Sequence, residues 1–317
     1  MGPRMRRQFD VTHTSLAHWH AALCRAYAFS SCRCPPRLVF NGDSHLRSFG
    51  TLFVGQVAAS TSNADDVVLD RRNAHILSDK RDEYTIFFVS RGRMAFEQMG
   101  RQATVLAGQF ILADHGRPWR FAMSGDYAAA TMVIPRALLD ARFEDIRRAL
   151  VQPITADTGL GRIVCAYLSG MADLTAMTEI AGREVLASSA LDVIATTFEQ
   201  HVGAMGNLSA QESKLRMVKQ YLRRNLDNPD LSVTVISDEQ GVTPRTLNRL
   251  FARDGTTPIK WLWEQRLRAS HCALLESRVQ NVTQAAFEFG FSDVSHFSRA
   301  FKKAFGVSPR EVLYRGC

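Results

Sequence analysis

Two stretches decide the fold. The first is Leu231-Ser-Val-Thr-Val-Ile-Ser-Asp-Glu-Gln-Gly241-Val-Thr-Pro-Arg-Thr-Leu-Asn-Arg-Leu-Phe251. The second is Asn281-Val-Thr-Gln-Ala-Ala-Phe-Glu-Phe-Gly290-Phe-Ser-Asp-Val-Ser-His-Phe-Ser-Arg-Ala-Phe301. Each reads as a short amphipathic helix, a Gly and an apolar residue, a capping residue and a second helix. Gly241 and Gly290 stand where the chain must turn through a left-handed conformation. Thr243 and Ser292 are the expected N-caps, and Pro244 suits a first helical position. In the second helices Leu247, Leu250 and Phe251 share a face, as do Phe297, Ala300 and Phe301. The opposite faces carry Arg245, Asn248 and Arg249, and Ser295, His296 and Arg299. One helix braces while the next offers polar side chains, which is the logic of a tandem helix-turn-helix aimed at the major groove of DNA.

Between the two motifs, Ile259–Glu276 reads as a long helix with Trp261, Leu262, Leu267, Ala273 and Leu274 inward. A rigid spacer of this kind sets two recognition helices into successive major grooves, about 34 Å apart. Charge follows the same division. Residues 212–317 hold 17 Lys and Arg against 11 Asp and Glu, whereas residues 1–211 hold 22 against 20. A basic C-terminal third points to an anionic partner, nucleic acid before membrane.

Upstream, Gly203, Gly206, Asn207 and Ser209 form a breaker-rich stretch, so a linker is expected at 206–210. Residues 158–175 and 178–202 have helical periodicity, and 136–150 reads as one further helix. Residues 45–135 instead alternate apolar and polar side chains in short segments: Tyr84–Ser90, Arg93–Gln98, Gln102–Leu106, Phe110–Ala113 and Ala128–Ile134. Breaks fall at Arg91-Gly92, Met99-Gly100, Ala107-Gly108 and His115-Gly116, the spacing of an antiparallel sandwich or barrel. The expected fold is therefore α+β in two domains. Residues 1–205 comprise a β-barrel (about 45–135) with helices (about 136–202), and 211–317 form an all-α domain.

At this point residues 212–312 resemble the DNA-binding domain of the AraC/XylS family of bacterial transcription regulators. Gly290-Phe-Ser-Asp-Val-Ser-His-Phe-Ser-Arg-Ala-Phe-Lys-Lys-Ala-Phe-Gly-Val-Ser-Pro309 carries the resemblance, with Gly255-Thr-Thr-Pro258 closing the first motif. Two positions depart from the family pattern. Ser237 replaces the usual small apolar Ala of the bracing helix, and is expected to bond to its own helix backbone. The aromatic-Arg pair after the last Pro is displaced to Arg310, Tyr314 and Arg315. Residues 45–202 resemble the family's cupin-like ligand-binding and dimerisation half through Arg91-Gly92, the Gly100 turn, Leu106-Ala-Gly-Gln-Phe-Ile-Leu and Ile134-Pro-Arg136. Ala107-Gly108-Gln109 stands where the family has Pro-Gly-Asp.

The resemblance implies a ligand-responsive regulator, foremost an activator of a metabolic operon. It further implies a homodimer joined through helices 158–202, a direct-repeat operator and contact with RNA polymerase. Base contacts are expected from Arg245, Asn248, Arg249, Ser295, His296 and Arg299, since Arg matches guanine and Asn matches adenine. Phosphate contacts are expected from Thr243, Ser292, Lys302 and Lys303, where a solvated helix face is the plainer reading of the Lys pair. Trp119 and Phe121 alternate with Arg120, so both can point inward from one strand. The small Ala129 and Thr131 of the next strand are expected to leave space beside them for a flat, apolar effector, although buried aromatics usually only pack.

Two other functions compete. A cupin-type enzyme needs several His and a carboxylate converging on a metal. His45, His75 and His115 are expected on loops, with no His-x-His pair. No phosphate-binding loop or nucleophile elbow occurs. A metal or thiol sensor would use His18, His20, Cys24, Cys32 and Cys34, but Cys32-Arg-Cys34 lacks zinc spacing. The plainer reading is one apolar helix face of Trp19, Leu23 and Tyr27 with His20 and Cys24 beside it. The expectation is no enzyme, no cofactor and no metal. Six cysteines in 317 residues, no apolar run of about 18 and no secretory leader point to a bacterial cytoplasmic protein acting at the nucleoid.

Overall fold

A computed structural model describes residues 9–13, 15–35, 38–61, 67–123, 125–144, 146–174, 182–205 and 210–316. The chain divides into two units, Met1–Val202 and Gly203–Cys317. The first holds β1 (Phe9–His13), α1 (Leu16–Ala26), β2 (Ser31–Arg33), β3 (Phe40–Phe49), β4 (Leu52–Thr61), β5 (Val67–Arg71) and α2 (Asn73–Asp79). It continues through β6 (Glu83–Arg91), β7 (Arg93–Gln98), β8 (Arg101–Leu106), β9 (Gln109–Asp114), β10 (Trp119–Met123) and β11 (Asp126–Pro135). Then come α3 (Arg136–Asp140), α4 (Ile146–Ala149), β12 (Ile154–Thr155), α5 (Gly159–Leu174) and α6 (Arg183–Met205).

The strands form two antiparallel sheets, ordered β1-β3-β4-β11-β6-β9-β12 and β2-β5-β10-β7-β8. Aromatic side chains meet between them. Phe87 of β6 lies 6.4 Å from Phe96 of β7 and 6.2 Å from Phe121 of β10, ring centre to ring centre. Tyr127 of β11 meets Phe121 edge-on at 5.7 Å. Such offset and edge-on pairs join two sheet faces into one core.

Two expectations are corrected. The β structure begins at β1 rather than near residue 45, because β3 turns Gly42 and Ser44 inward at positions where alternation would need large apolar residues. Trp19 of α1 fills that space, its indole Nε1 donating to Ser44 Oγ at 2.9 Å. Residues 136–150 are not one helix but α3 and α4. Phe143 between them is buried and stacks on Phe198 of α6. Arg142 bonds back to the Leu138 carbonyl, capping α3, and pairs with Asp192 of α6 at 2.7 Å.

The second unit is wholly helical among its described residues after α6: α7 (Ala210–Arg224), α8 (Val233–Glu239), α9 (Pro244–Ala252), α10 (Pro258–Leu275), α11 (Val282–Glu288), α12 (Val294–Phe305) and α13 (Pro309–Gly316). Most of the linker expected at 206–210 lies outside the described residues. Two apolar clusters build this unit. Val218, Leu222, Ile236, Leu247, Leu250, Phe251, Trp261 and Leu262 seat the first motif. Leu267, Ala273, Leu274, Ala285, Ala286, Phe291, Phe297 and Phe301 seat the second. Helix α10 contributes to both and is the strut between them.

Candidate nucleic-acid interface and effector cavity

Helices α8 and α9 form the first motif, α11 and α12 the second. Gly241 and Gly290 make the turns at φ +59° and +72°. Thr243 caps α9 by accepting from the Thr246 amide, with Pro244 at the first helical position. In the second motif the cap is Asp293 and not Ser292: the Asp293 carboxylate accepts from the His296 amide at 2.5 Å. The motif therefore turns one residue later than the sequence suggests, and a carboxylate complements the positive end of the helix.

Buried Leu247, Leu250 and Phe251 turn the other face of α9 outward, as buried Phe297 and Phe301 do for α12. Arg245, Asn248 and Arg249 are exposed on the first, and Ser295, His296, Arg299, Lys302 and Lys303 on the second. None of these five Arg and Lys side chains has a carboxylate partner among the described residues. Two other basic side chains of the unit are ion-paired: Lys219 with Asp254 at 2.7 Å and Arg278 with Glu276 at 2.7 Å. The outer faces of α9 and α12 thus present positive charge without a carboxylate partner among the described residues.

Three residues on these faces have local bonds as well. The Asn248 amide donates to the Pro244 carbonyl at 2.9 Å, one turn back. The Thr243 hydroxyl donates to Thr246 Oγ1 at 3.0 Å while it caps. The His296 ring packs edge-on against Trp263 at 5.1 Å. Exposed Ser292 stands before the cap. The displaced aromatic-Arg pair reappears as Arg310 over the Tyr314 ring, 5.5 Å away.

Ser237 corrects a further expectation. Its hydroxyl is buried and makes no hydrogen bond, to its own helix or elsewhere. A buried unbonded hydroxyl is a net cost, so Ser237→Ala is expected to stabilise the second unit by about 1 kcal/mol. Its thermal midpoint should rise by several degrees, and an unchanged or lower midpoint would count against this.

In the first unit a cavity of about 50 Å³ lies among Trp19, Tyr27, Phe87, Phe96, Trp119 and Phe121, with His115 at one wall. Trp119 and Phe121 alternate with exposed Arg120 along β10. Ala129 and Thr131 are buried on β11 but line no part of the cavity. Tyr127 lines it instead, and Thr131 is bonded to the Tyr27 hydroxyl at 2.8 Å. Sequence reasoning saw α1 as an apolar face without seeing that Trp19, Leu23 and Tyr27 wall this space. It placed His115 on an exposed loop, whereas the ring is buried. Trp119 Nε1 donates to His115 Nδ1 at 3.2 Å, and the other ring nitrogen lies 2.7 Å from Thr85 Oγ1, which assigns the proton to Nε2. His45 lies in β3 and His75 in α2, not on loops.

The thiol cluster is packed. Cys24 Sγ lies 3.4 Å from His20 Nε2, which bonds Ser30 Oγ at 3.1 Å. Burial, with Cys34 and Cys24 nearby, pushes the Cys32 thiol up to about 12, opposite to a reactive thiolate. No three His, Cys, Asp or Glu side chains among the described residues are placed to share a metal. No helix among them is long and apolar enough to cross a membrane.

A sheet-built unit enclosing an aromatic cavity, followed by two helix-turn-helix motifs with cationic outer faces, defines a two-domain DNA-binding regulator. The comparisons place it more closely. Residues 236–315 match the helix-turn-helix domain model, and 19–199 match the AraC-binding-like domain model. The chain is 32% identical over 315 residues to the transcriptional activator NphR of Rhodococcus sp., covering 98% of this chain and 91% of that protein. It is 22% identical over 246 residues to the XylDLEGF operon transcriptional activator of Pseudomonas putida, covering 73% and 74%. The fold is similar to that of the AraC-like transcriptional activator CuxR, with TM-score 0.53 and 18% identity over 84% of this chain and 96% of that one. The chain belongs to the AraC family of DNA-binding transcription regulators.

Proposed function

We propose that this protein is a ligand-responsive transcriptional activator that binds a small organic effector in its N-terminal unit and direct-repeat DNA through its two motifs. The observation that carries the DNA half is the set of exposed, carboxylate-free cations on α9 and α12 (Arg245, Arg249, Arg299, Lys302, Lys303). Arg245, Arg249 and Arg299 read guanine, Asn248 reads adenine after giving up its bond to Pro244, and Ser295 and His296 complete the base contacts. Lys302 and Lys303 hold phosphates, as do Thr243, Ser292 and the adjoining helix N-termini. The activator sense rests on the named relatives, and RNA polymerase is the partner such an activator would engage. Helices α5 and α6 join two copies, since α6 leaves Val185 exposed and α5 leaves Ile163 exposed. The protein acts in the bacterial cytoplasm, on the nucleoid.

The division of roles has a direct test. Arg249→Ala should cost about 1–3 kcal/mol on the specific site and relax preference at one base position. Lys302→Ala should weaken specific and random DNA equally and lower the slope of log affinity against log salt by about one. Identical behaviour of the two variants on both DNAs would refute the assignment.

A further inference from the structure

The cavity of the first unit has a lining without charged side chains. None of the thirteen side chains lining it is Lys, Arg, Asp or Glu. Its lining residues are mainly aromatic and aliphatic, and their polar side-chain groups are hydroxyls, an imidazole and indole N–H groups. One cation does stand nearby. Arg71 of β5 is the register partner of Trp119, so the two side chains leave the sheet on the same face. It is fully buried, and its charge is taken up: both terminal nitrogens bond Asp79, at 2.7 and 2.8 Å, while Nε bonds the His115 carbonyl and Nη1 the Phe29 carbonyl. Among the described residues lining the cavity no cation meets a ligand carboxylate, which would lose its hydration without replacement.

Resting on the proposal that this cavity is the effector site, we infer that it selects an uncharged, single-ring aromatic ligand carrying a small hydrogen-bonding group, and rejects an aromatic carboxylate of the same shape. The ring stacks between aromatic walls, and the polar group meets a wall hydroxyl such as that of Ser30. Size favours the smaller ligand. The cavity of about 50 Å³ is below the ~150 Å³ that accommodates benzene, so a ring enters only as the walls part, and the cost grows with ligand size. A second ring would require them to part much further.

The test uses the full chain with phenol, benzamide, benzoate and benzylamine as probes at neutral pH. Trp19 and Trp119 line the cavity while Trp261 and Trp263 belong to the other unit, so a bound ring should alter part of the tryptophan emission, with calorimetry as the second readout. Phenol and benzamide should bind. Benzoate, nearly isosteric with benzamide but ionised, should bind at least about a hundredfold more weakly, as should the benzylammonium ion. Ser30 lines the cavity from a half-buried position, and Ser30→Lys should narrow the benzamide–benzoate gap by about tenfold or more. Benzoate binding as tightly as benzamide would overturn the charge selection and leave the effector site standing. A gap unchanged by Ser30→Lys would place the ligand elsewhere. Failure of both neutral rings to bind would overturn the effector site itself.

Discussion

Asp79→Ala is expected to destabilise the N-terminal unit by about 3–5 kcal/mol, the cost of leaving one partner of a buried ion pair alone. The Arg71 side chain is 0% exposed and that of Asp79 4%. Asp79 also accepts from the backbone amides of Phe29 at 2.7 Å and Arg81 at 3.2 Å. The pair thus ties the segment after α1 to β5 and to the segment after α2, around one wall of the cavity. Chemical denaturation at neutral pH would read the loss, and a change below about 1 kcal/mol would show that the pair does not brace the unit. The acid response supplies a second reading. Burial alone would raise the Asp79 carboxyl, but Arg71 and the Phe29 and Arg81 amides hold it below the usual carboxylate value. A depressed carboxyl contributes stability that is present above about pH 3.9, the ordinary Asp value, and is lost as the pH falls through its folded value. Wild type and Asp79→Ala should therefore converge in strong acid.

Gly290→Ala should destabilise the DNA-binding unit by about 2–4 kcal/mol, combining a left-handed backbone with overpacking. At φ +72° any side chain is strained, and a Cβ there would stand 2.5 Å from the Leu226 carbonyl oxygen and 2.8 Å from the Arg266 guanidinium. Neither can withdraw cheaply. Arg266 is buried in α10, and its Nε bonds that same Leu226 oxygen at 2.9 Å while its terminal nitrogen bonds the Asn228 carbonyl. Gly241 is the matching turn of the first motif, yet a Cβ there meets nothing within 4 Å. Gly241→Ala should cost only the backbone strain, about 1 kcal/mol. Thermal unfolding of the two variants would compare them, and equal losses would show that the contact with Leu226 and Arg266 is not rigid.

These two glycines show how far sequence reasoning reaches. Both were legible as turns, because a left-handed residue between two helices is a local requirement that Gly meets without cost. That one is free and the other wedged against Arg266 was not, since Leu226 and Arg266 lie far from it along the chain. The same holds for the caps. Ser292 and Asp293 are adjacent and both chemically able to cap, so only the backbone path chooses Asp293. Ser237 is the third instance: its hydroxyl had a bond available in its own helix, yet it is buried without one.

The aromatic cavity divides in the same way. Trp119 and Phe121 could be set inward by alternation with Arg120, which is a property of one strand. Ala129 and Thr131 could not be judged, because Tyr27, at the C-cap of α1 more than a hundred residues earlier, occupies the Thr131 hydroxyl. His115 looked like a turn residue beside Gly116, and became a buried wall only when Thr85 and Trp119 were brought to its two nitrogens.

The amino-acid sequence by itself determined the class of this protein: a β-rich unit, a tandem helix-turn-helix and the cationic faces of α9 and α12. Periodicity, capping and turn glycines are short-range features, and one of two opposite helix faces must be apolar to pack. Tertiary structure alone decided the lining of the cavity, the neutralisation of Arg71 by Asp79 and the difference between Gly241 and Gly290. Each of those depends on atoms brought together from distant parts of the chain, and the energies of burial, ion pairing and steric contact act through space rather than along the sequence.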